Sequence, residues 1–326
     1  MINIFISRRH TYTLKPFLNT WPNRATGAIR LVSYQNLYRI QSVSPGLFIF
    51  SDVDRLTAQQ RSMAERLCAI ISGNGGNPIF NHPGKVLSRR QLLLSLWEQG
   101  ANSFRIYSIG AHEEPTRYPV FFRRANDHFG ALTGLIANKE NYDRQVRALL
   151  ASGEDPAELI AVEFCDTCQS DGLFRKYSAF RIGEAIVPAH IIFSRDWVTK
   201  DMPPEPLRDE EKRYLEDNPH RDELMRIFRL ANIDYGRIDY GMLEGKIQVW
   251  EINTNPLVIQ KREKYSEDKR ELKQKLVDQL ADAFLQEASR AAAMDLKNQY
   301  LAVDVLPRSV LTLPRAMARW VLPIKI

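Results

Sequence analysis

Two runs, YGRIDYGML (235–243) and KIQVWEIN (246–253), flank Glu244-Gly245 and alternate apolar with polar residues. That pattern is a β-hairpin. The second run then reads EINTNP, with Glu251, Asn253 and Asn255 at alternate positions before Pro256. Side chains two apart on a strand share a face, so three oxygen-bearing groups point one way. Such a face can hold something. A two-residue turn at 244–245 sets Asp239 opposite Trp250, with Glu251 on the other face. A three-residue loop with glycine in the left-handed position sets Asp239 opposite Val249, and Asp239, Glu251 and Asn253 then line one face. A shared ligand therefore requires an odd loop or a bulge. Two carboxylates and an amide oxygen on adjacent strands suit magnesium, which keeps waters and shares phosphate oxygens. An edge hairpin with solvated polar residues is the alternative, and the hairpin alone does not separate the two.

The 326 residues are enough for a large core and about two structural units. Hydrophobic residues make up 44% and charged residues 26%, an ordinary globular mixture. The net charge of +6 comes without a run of five or six like charges, so an anionic small ligand accounts for it and nucleic acid is not expected. The opening MINIFISRRH has its arginines after the apolar run, unlike a secretory signal, and no stretch is apolar enough for a membrane span. Three cysteines, Cys68, Cys165 and Cys168, fit a reduced cytoplasmic setting. CDTC (165–168) has the spacing of redox and zinc sites, but no second ligand pair completes a zinc set and the pair follows a strand, so two incidental thiols are expected.

The periodicity predicts strands at INIFI and LFIFSDVD and a helix at TAQQRSMAERLCAIIS capped by Thr57, a small α/β unit over 1–80. GNGGNPIFNHPGK breaks regular structure. A second unit over 81–262 holds a helix from Ser88 to Gly100, a strand at YPVFFRR, a loop at ANDHFGALTG, a helix at KENYDRQVRALLAS and a strand at ELIAVEF. YSAFRIG and AIVPAHIIFS pair around Gly183-Glu184, and PPEPLRDEEKRYLED leads through a connection into helix. RDELMRIFRLANI is helical, and the hairpin follows. A long amphipathic helix over about 266–293 opens a C-terminal extension, 263–326, which either caps the second unit or pairs two subunits into a homodimer. The apolar and basic end, SVLTLPRAMARWVLPIKI, reads as a tucked-in tail.

In this order, over roughly residues 80–260, the chain resembles the ATP-grasp superfamily, whose carboxylate–amine ligases include D-alanine–D-alanine ligase, glutathione synthetase and the ribosomal-protein glutamate ligase. The resemblance implies an α/β (α+β) fold of two lobes with the nucleotide between antiparallel sheets, after a small α/β domain. Asp239 and EINTNP match the family's C-terminal signature and put Asp239, Glu251 and Asn253 in the places of the magnesium ligands, with manganese an alternative ion. LIAVEFCDT resembles the hinge strand, near 158–166, where Glu163 and the backbone at Phe164 and Cys165 would meet adenine and Asp166 the ribose. LFRKYSAFRIGEAIVPAHIIFS resembles the next segment, in which Lys176 would face phosphate. Lys176 and Arg181 differ in strand parity, so at most one of them faces the ligand. Arg237, two residues before Asp239, is a candidate for the substrate carboxylate or the γ-phosphate, or for a salt bridge to Glu251.

Two lysines usual in the family are replaced. Arg89 or Arg90 stands at the helix start, with Arg90 taken as the cofactor contact, and Arg123 or Arg124 ends PVFFRR, with Arg123 so taken. Arginine is always charged and grips phosphate bidentately. The loop at 125–134 has only Gly130 and Gly134, which leaves few close backbone approaches to phosphate. His128 in that loop reads as a solvated turn residue or a side-chain donor, and His190 as a core histidine or a substrate contact. By resemblance the chain is an ATP- and magnesium-dependent ligase that phosphorylates a carboxylate and passes the acylphosphate to an amine, with Arg237 and Lys176 as catalytic groups. Its partners would be a small-molecule or peptide carboxylate and an amine co-substrate. A kinase acting on a hydroxyl, and a nucleotide-binding protein without turnover, are the other two readings.

Overall fold

The computed structural model describes residues 1–73, 76–126, 130–198, 207–294, 299–300 and 324–325. The expectations for His128, for the proline-rich connection at 203–206 and for the tail at 309–323 lie outside these residues.

The N-terminal unit runs β1 (Ile2–Ile6), α1 (Lys15–Asn19), β2 (Ile29–Ser33), β3 (Ile40–Val43), β4 (Leu47–Phe50), α2 (Ala58–Gly73) and β5 (Ile79–Phe80). β1 and β4 are fully buried and apolar but for Asn3, as expected of strands covered on both faces. They form the middle of a parallel sheet of order β2-β1-β4-β5. Thr57 accepts from Gln60 N at 3.2 Å at the start of α2. β5 corrects the irregular reading of 73–85. Two residues flanked by asparagine and proline carry no strand period, and pairing with β4 alone makes them a strand.

The second unit continues with α3 (Arg89–Glu98), β6 (Ile106–Ser108), β7 (Val120–Arg124), α4 (Lys139–Ala151) and β8 (Leu159–Glu163), with an antiparallel sheet of order β6-β8-β7. Then come β9 (Phe174–Ile182), β10 (Ala185–Ser194), α5 (Arg208–Asp217), α6 (Arg221–Leu230), β11 (Tyr235–Leu243) and β12 (Lys246–Asn253), with an antiparallel sheet of order β10-β9-β11-β12. The chain ends with α7 (Glu267–Ala292), β13 (Gln299–Tyr300) and β14 (Ile324–Lys325), the two short strands lying on either side of β3. The fold is mixed α/β with parallel and antiparallel sheets.

The two faces of the large antiparallel sheet have different partners. On one, Ala179, Ile186, Ile238 and Ile252 pack against Leu224, Ile227 and Phe228 of α6. On the other, Phe180, Ile182 and Val187 share a core with Ile4 and Phe17 of the N-terminal unit and with Val277, Leu280 and Phe284 of α7. The C-terminal helix therefore packs within this chain and joins the N-terminal unit to the sheet. That core covers one end of the face, and the other end is open.

Candidate active site

The hairpin closes with a two-residue turn, Glu244 at φ 49° and Gly245 at φ 76°, the left-handed pair expected when strands retain their twist. Leu243 pairs with Lys246, yet Asp239 pairs with Glu251, because the register shifts by one residue beyond Tyr240–Val249. The extra residue, Trp250, makes a β-bulge. The bulge turns Glu251 to the face of Asp239 and sends the Trp250 ring to Phe104, 5.3 Å away, beside the smaller sheet. Gly241 leaves room for it, since a Cβ there would lie 3.0 Å from Trp250 Cζ2. Arg237 pairs with Asn253, and Ser178 with Asp239 on the other side, so all these side chains and Lys176 share the open half of the face. Asn255 does not belong to it. It lies past the end of the strand, buried, and donates to Asp52 Oδ1 at 3.0 Å in the N-terminal unit.

A cleft of about 300 Å³ separates this face from the smaller sheet. One end is aromatic and apolar, with Phe104, Val162, Phe164 and Trp197; the other carries Arg123, Lys176, Asp239 and Glu251. Of the hinge residues, Glu163, Phe164 and Cys165 line it. The Glu163 carboxylate is itself engaged, accepting from Tyr107 Oη at 2.8 Å, Arg105 N at 2.9 Å and Arg117. Asp166 is a correction: it is exposed and outside the lining, because its Oδ1 accepts Cys168 N at 3.0 Å in its own turn. Cys165 is half-buried, its thiol pushed up by burial, and Cys168 is exposed; both are free.

Both candidate metal carboxylates carry cations of the chain itself. Glu251 Oε2 accepts from Arg89 at 2.6 Å and from Arg123 at 3.1 Å. Asp239 accepts from Ser178 Oγ at 2.7 Å and Arg237 Nε at 3.2 Å, and Lys176 Nζ stands 3.8 Å away. Arg237 thus pairs with Asp239 rather than with Glu251, and it also donates to Leu257 O at 3.3 Å. Asn253 Oδ1 accepts from Asn255 N at 2.8 Å, which leaves it one lone pair. Arg89, not Arg90, reaches the site. A capping box between Ser88 and Gln91 fixes the start of α3, and adjacent helix residues point about 100° apart, so only one of the two arginines can face inward. Arg89 is buried and also donates to Ala125 O at 3.0 Å. Lys176 faces the cleft, and Arg181 turns to the opposite face, where it donates to Gly183 O and Ile233 O. His190 pairs with Ser178 and is half-buried. Trp197, Phe121 and Trp250 escaped the sequence reading, since aromatics there read equally as core.

The donor set fits a hard divalent cation. It consists of oxygens only, two of them carboxylates brought opposite each other by the bulge. Their two pairs of cations suit a metal that arrives with phosphates, whose charge those cations can follow. Among the described residues no group of three or more His, Cys, Asp or Glu side chains converges on one point, so waters and substrate oxygens would complete the shell. Among the described residues no helix is long and apolar enough to cross a membrane.

No protein-family model matches the chain, and no curated protein matches it. Among solved structures it is similar to D-alanine–D-alanine ligase from Bacillus anthracis complexed with ATP, at 12% identity and TM-score 0.49 over 89% of this chain and 97% of that one. It is similar to the RimK domain ATP-grasp protein from Sphaerobacter thermophilus at 15% identity and TM-score 0.46, over 87% and 100%. It is similar also to D-alanine–D-alanine ligase from Coxiella burnetii, at 11% identity and TM-score 0.48, over 89% and 97%.

Proposed function

We propose that the chain is an ATP-grasp enzyme that joins a carboxylate to an amine, with release of ADP and phosphate. The observation that carries this reading is the cleft itself: an apolar slot at one end, and at the other two facing carboxylates among cations drawn from both sheets. The aromatic end takes the base, with Phe164 and Trp197, which meet edge-to-face at 6.0 Å, among its walls and the Phe164–Cys165 backbone at its edge. Arg123 and Lys176, on opposite walls, take the phosphates. Arg89 holds Glu251 from behind, and Ser178 holds Asp239. Magnesium or manganese on Asp239, Glu251 and Asn253 would neutralise charge on the phosphoryl oxygens. Arg237, held against Asp239, orients the carboxylate that receives the phosphoryl group. No nucleophilic side chain is required, because positioning and charge compensation are what phosphoryl transfer demands.

Thermal unfolding of the wild type and of Glu251→Gln, with and without Mg-ATP, tests the site. Ligand at about a hundred times its Kd stabilises by roughly 2.7 kcal/mol, a shift of several degrees. A metal-dependent shift that the variant loses supports the assignment, and absence of any shift in the wild type at millimolar nucleotide ends the enzyme reading. ADP release from carboxylates with and without an amine then decides for the ligase, since a kinase needs no amine.

A further inference from the structure

α7 brings a charged side chain to the open half of the sheet. Its buried stripe begins at Leu276 and Val277, and Lys273 stands three and four residues before them, one turn earlier on the same side of the helix. A lysine on a surface helix ordinarily turns to water, but Lys273 is half-buried, and the loss of hydration lowers its pKa. His190 lies in the same place, on β10 opposite Ser178. Burial lowers its pKa well below the usual value, and the charges of Arg237, Lys273 and Lys176 push the same way. Lys176 and Arg237 stand at Asp239, His190 lies across Ser178 on the same face, and Lys273 acts on His190 from α7.

The acidic groups there do not balance them. Asp239 is shared by Ser178, Arg237 and Lys176. Glu211 of α5 acts on Lys273 from a distance, without an ion pair within 4 Å. Among the described residues Lys273 has no such pair, and neither ring nitrogen of His190 has a hydrogen-bond partner. A partly desolvated ammonium without a counter-ion is costly, and a bound anion removes that cost. A neutral imidazole adds one N–H donor at no cost in charge repulsion.

We infer that Lys273 and His190 form an anion subsite next to the Asp239–Glu251 face, which holds a second carboxylate of the substrate, so that the carboxylate substrate is a dicarboxylate. This rests on the ligase reading for its role, but not for its test. The carboxylate to be activated lies by Arg237 and Lys176, and the second lies against α7, where it sets specificity.

The full chain is titrated calorimetrically with glutarate, butyrate and inorganic phosphate at constant ionic strength, with and without Mg-ADP. The variants are Lys273→Met, Lys273→Arg and, as a charge control on the exposed side of α7, Lys275→Met. Glutarate should bind the wild type at least tenfold more tightly than butyrate. Lys273→Met should erase that preference, Lys273→Arg should keep most of it, and Lys275→Met should leave it intact. Equal binding of the two acids, no binding of either, or equal losses in the two methionine variants overturns the subsite. Phosphate binding more tightly than glutarate, and lost with Lys273→Met, overturns the dicarboxylate assignment in favour of a phosphate ester. Mg-ATP stabilisation of the same wild-type preparation is read separately. Glutarate preference without nucleotide stabilisation sinks the ligase reading alone; nucleotide stabilisation without glutarate preference sinks the subsite alone.

Discussion

Arg123 Nη2 donates to Glu251 Oε2 at 3.1 Å across the cleft and joins the smaller antiparallel sheet to the larger one. Arg89 donates to the same oxygen at 2.6 Å from the start of α3. One carboxylate thus organises three elements; in the proposed function Arg123, which lines the cleft, turns to phosphate while buried Arg89 keeps Glu251 in place.

Removal of Glu251 should be costly even without ligand. The Arg89 side chain is only 6% exposed, and Glu251→Ala removes the buried carboxylate oxygen that it shares with Arg123. Breaking a buried pair from one side costs about 3–5 kcal/mol. Glu251→Gln, which keeps an acceptor oxygen, should cost less. Urea unfolding measures both, and a loss under about 0.5 kcal/mol for the alanine variant would place the pair among ordinary surface contacts.

Arginine identity should matter for nucleotide. Arg123→Ala should weaken Mg-ATP by about tenfold or more, the worth of one charged hydrogen bond. Arg90→Ala, on a helix face turned from the cleft, should change it less than about twofold. Calorimetric titration of the two variants decides, and a larger effect at Arg90 would reverse the assignment made from α3.

The bulge depends on a missing side chain. Gly241→Ala places a Cβ 3.0 Å from Trp250 Cζ2 and 3.3 Å from Thr167 Cγ2. Overpacking of this kind costs about 1–3 kcal/mol, and here it also pushes the residue that sets the register of Glu251. The expected outcome is lower stability together with weaker metal-dependent nucleotide binding. Stability loss with unchanged binding would show that Glu251 holds its place without Trp250.

His190 should make stability sensitive to acid. Its pKa in the fold lies well below the ordinary 6.5, through burial first and then through Arg237, Lys273 and Lys176. The unfolded chain therefore binds a proton that the native state refuses, and stability is full above about pH 6.5 and falls as pH drops below it, by at most about 1.4 kcal/mol per pH unit. His82 and His220, also lowered by burial, act in the same direction. His190→Gln should flatten the fall between pH 6.5 and 5, as read by urea midpoints against wild type. Parallel curves would mean that His190 titrates normally.

The local code was strong in this chain. Alternation marked β9 to β12, the Ser88 cap marked α3, and Glu244-Gly245 marked the turn, because period, capping and left-handed backbone are properties of neighbouring residues. It also required an odd step in the hairpin if Asp239 and Glu251 were to meet, and the structure supplies that step as a bulge at Trp250. Three things were decided by contacts between residues far apart in sequence. Asn255, in period with Glu251 and Asn253, left their face because the strand stops at Asn253 and a buried aspartate of the N-terminal unit accepts its amide. The choice of Arg89 over Arg90 came from the direction in which α3 docks against β7 and β12, which no helical period contains. Lys273 reads from sequence as one lysine among many on a charged helix. Only the packing of α7 over β9 and β10, a hydrophobic contact between the end of the chain and its middle, puts that charge beside His190.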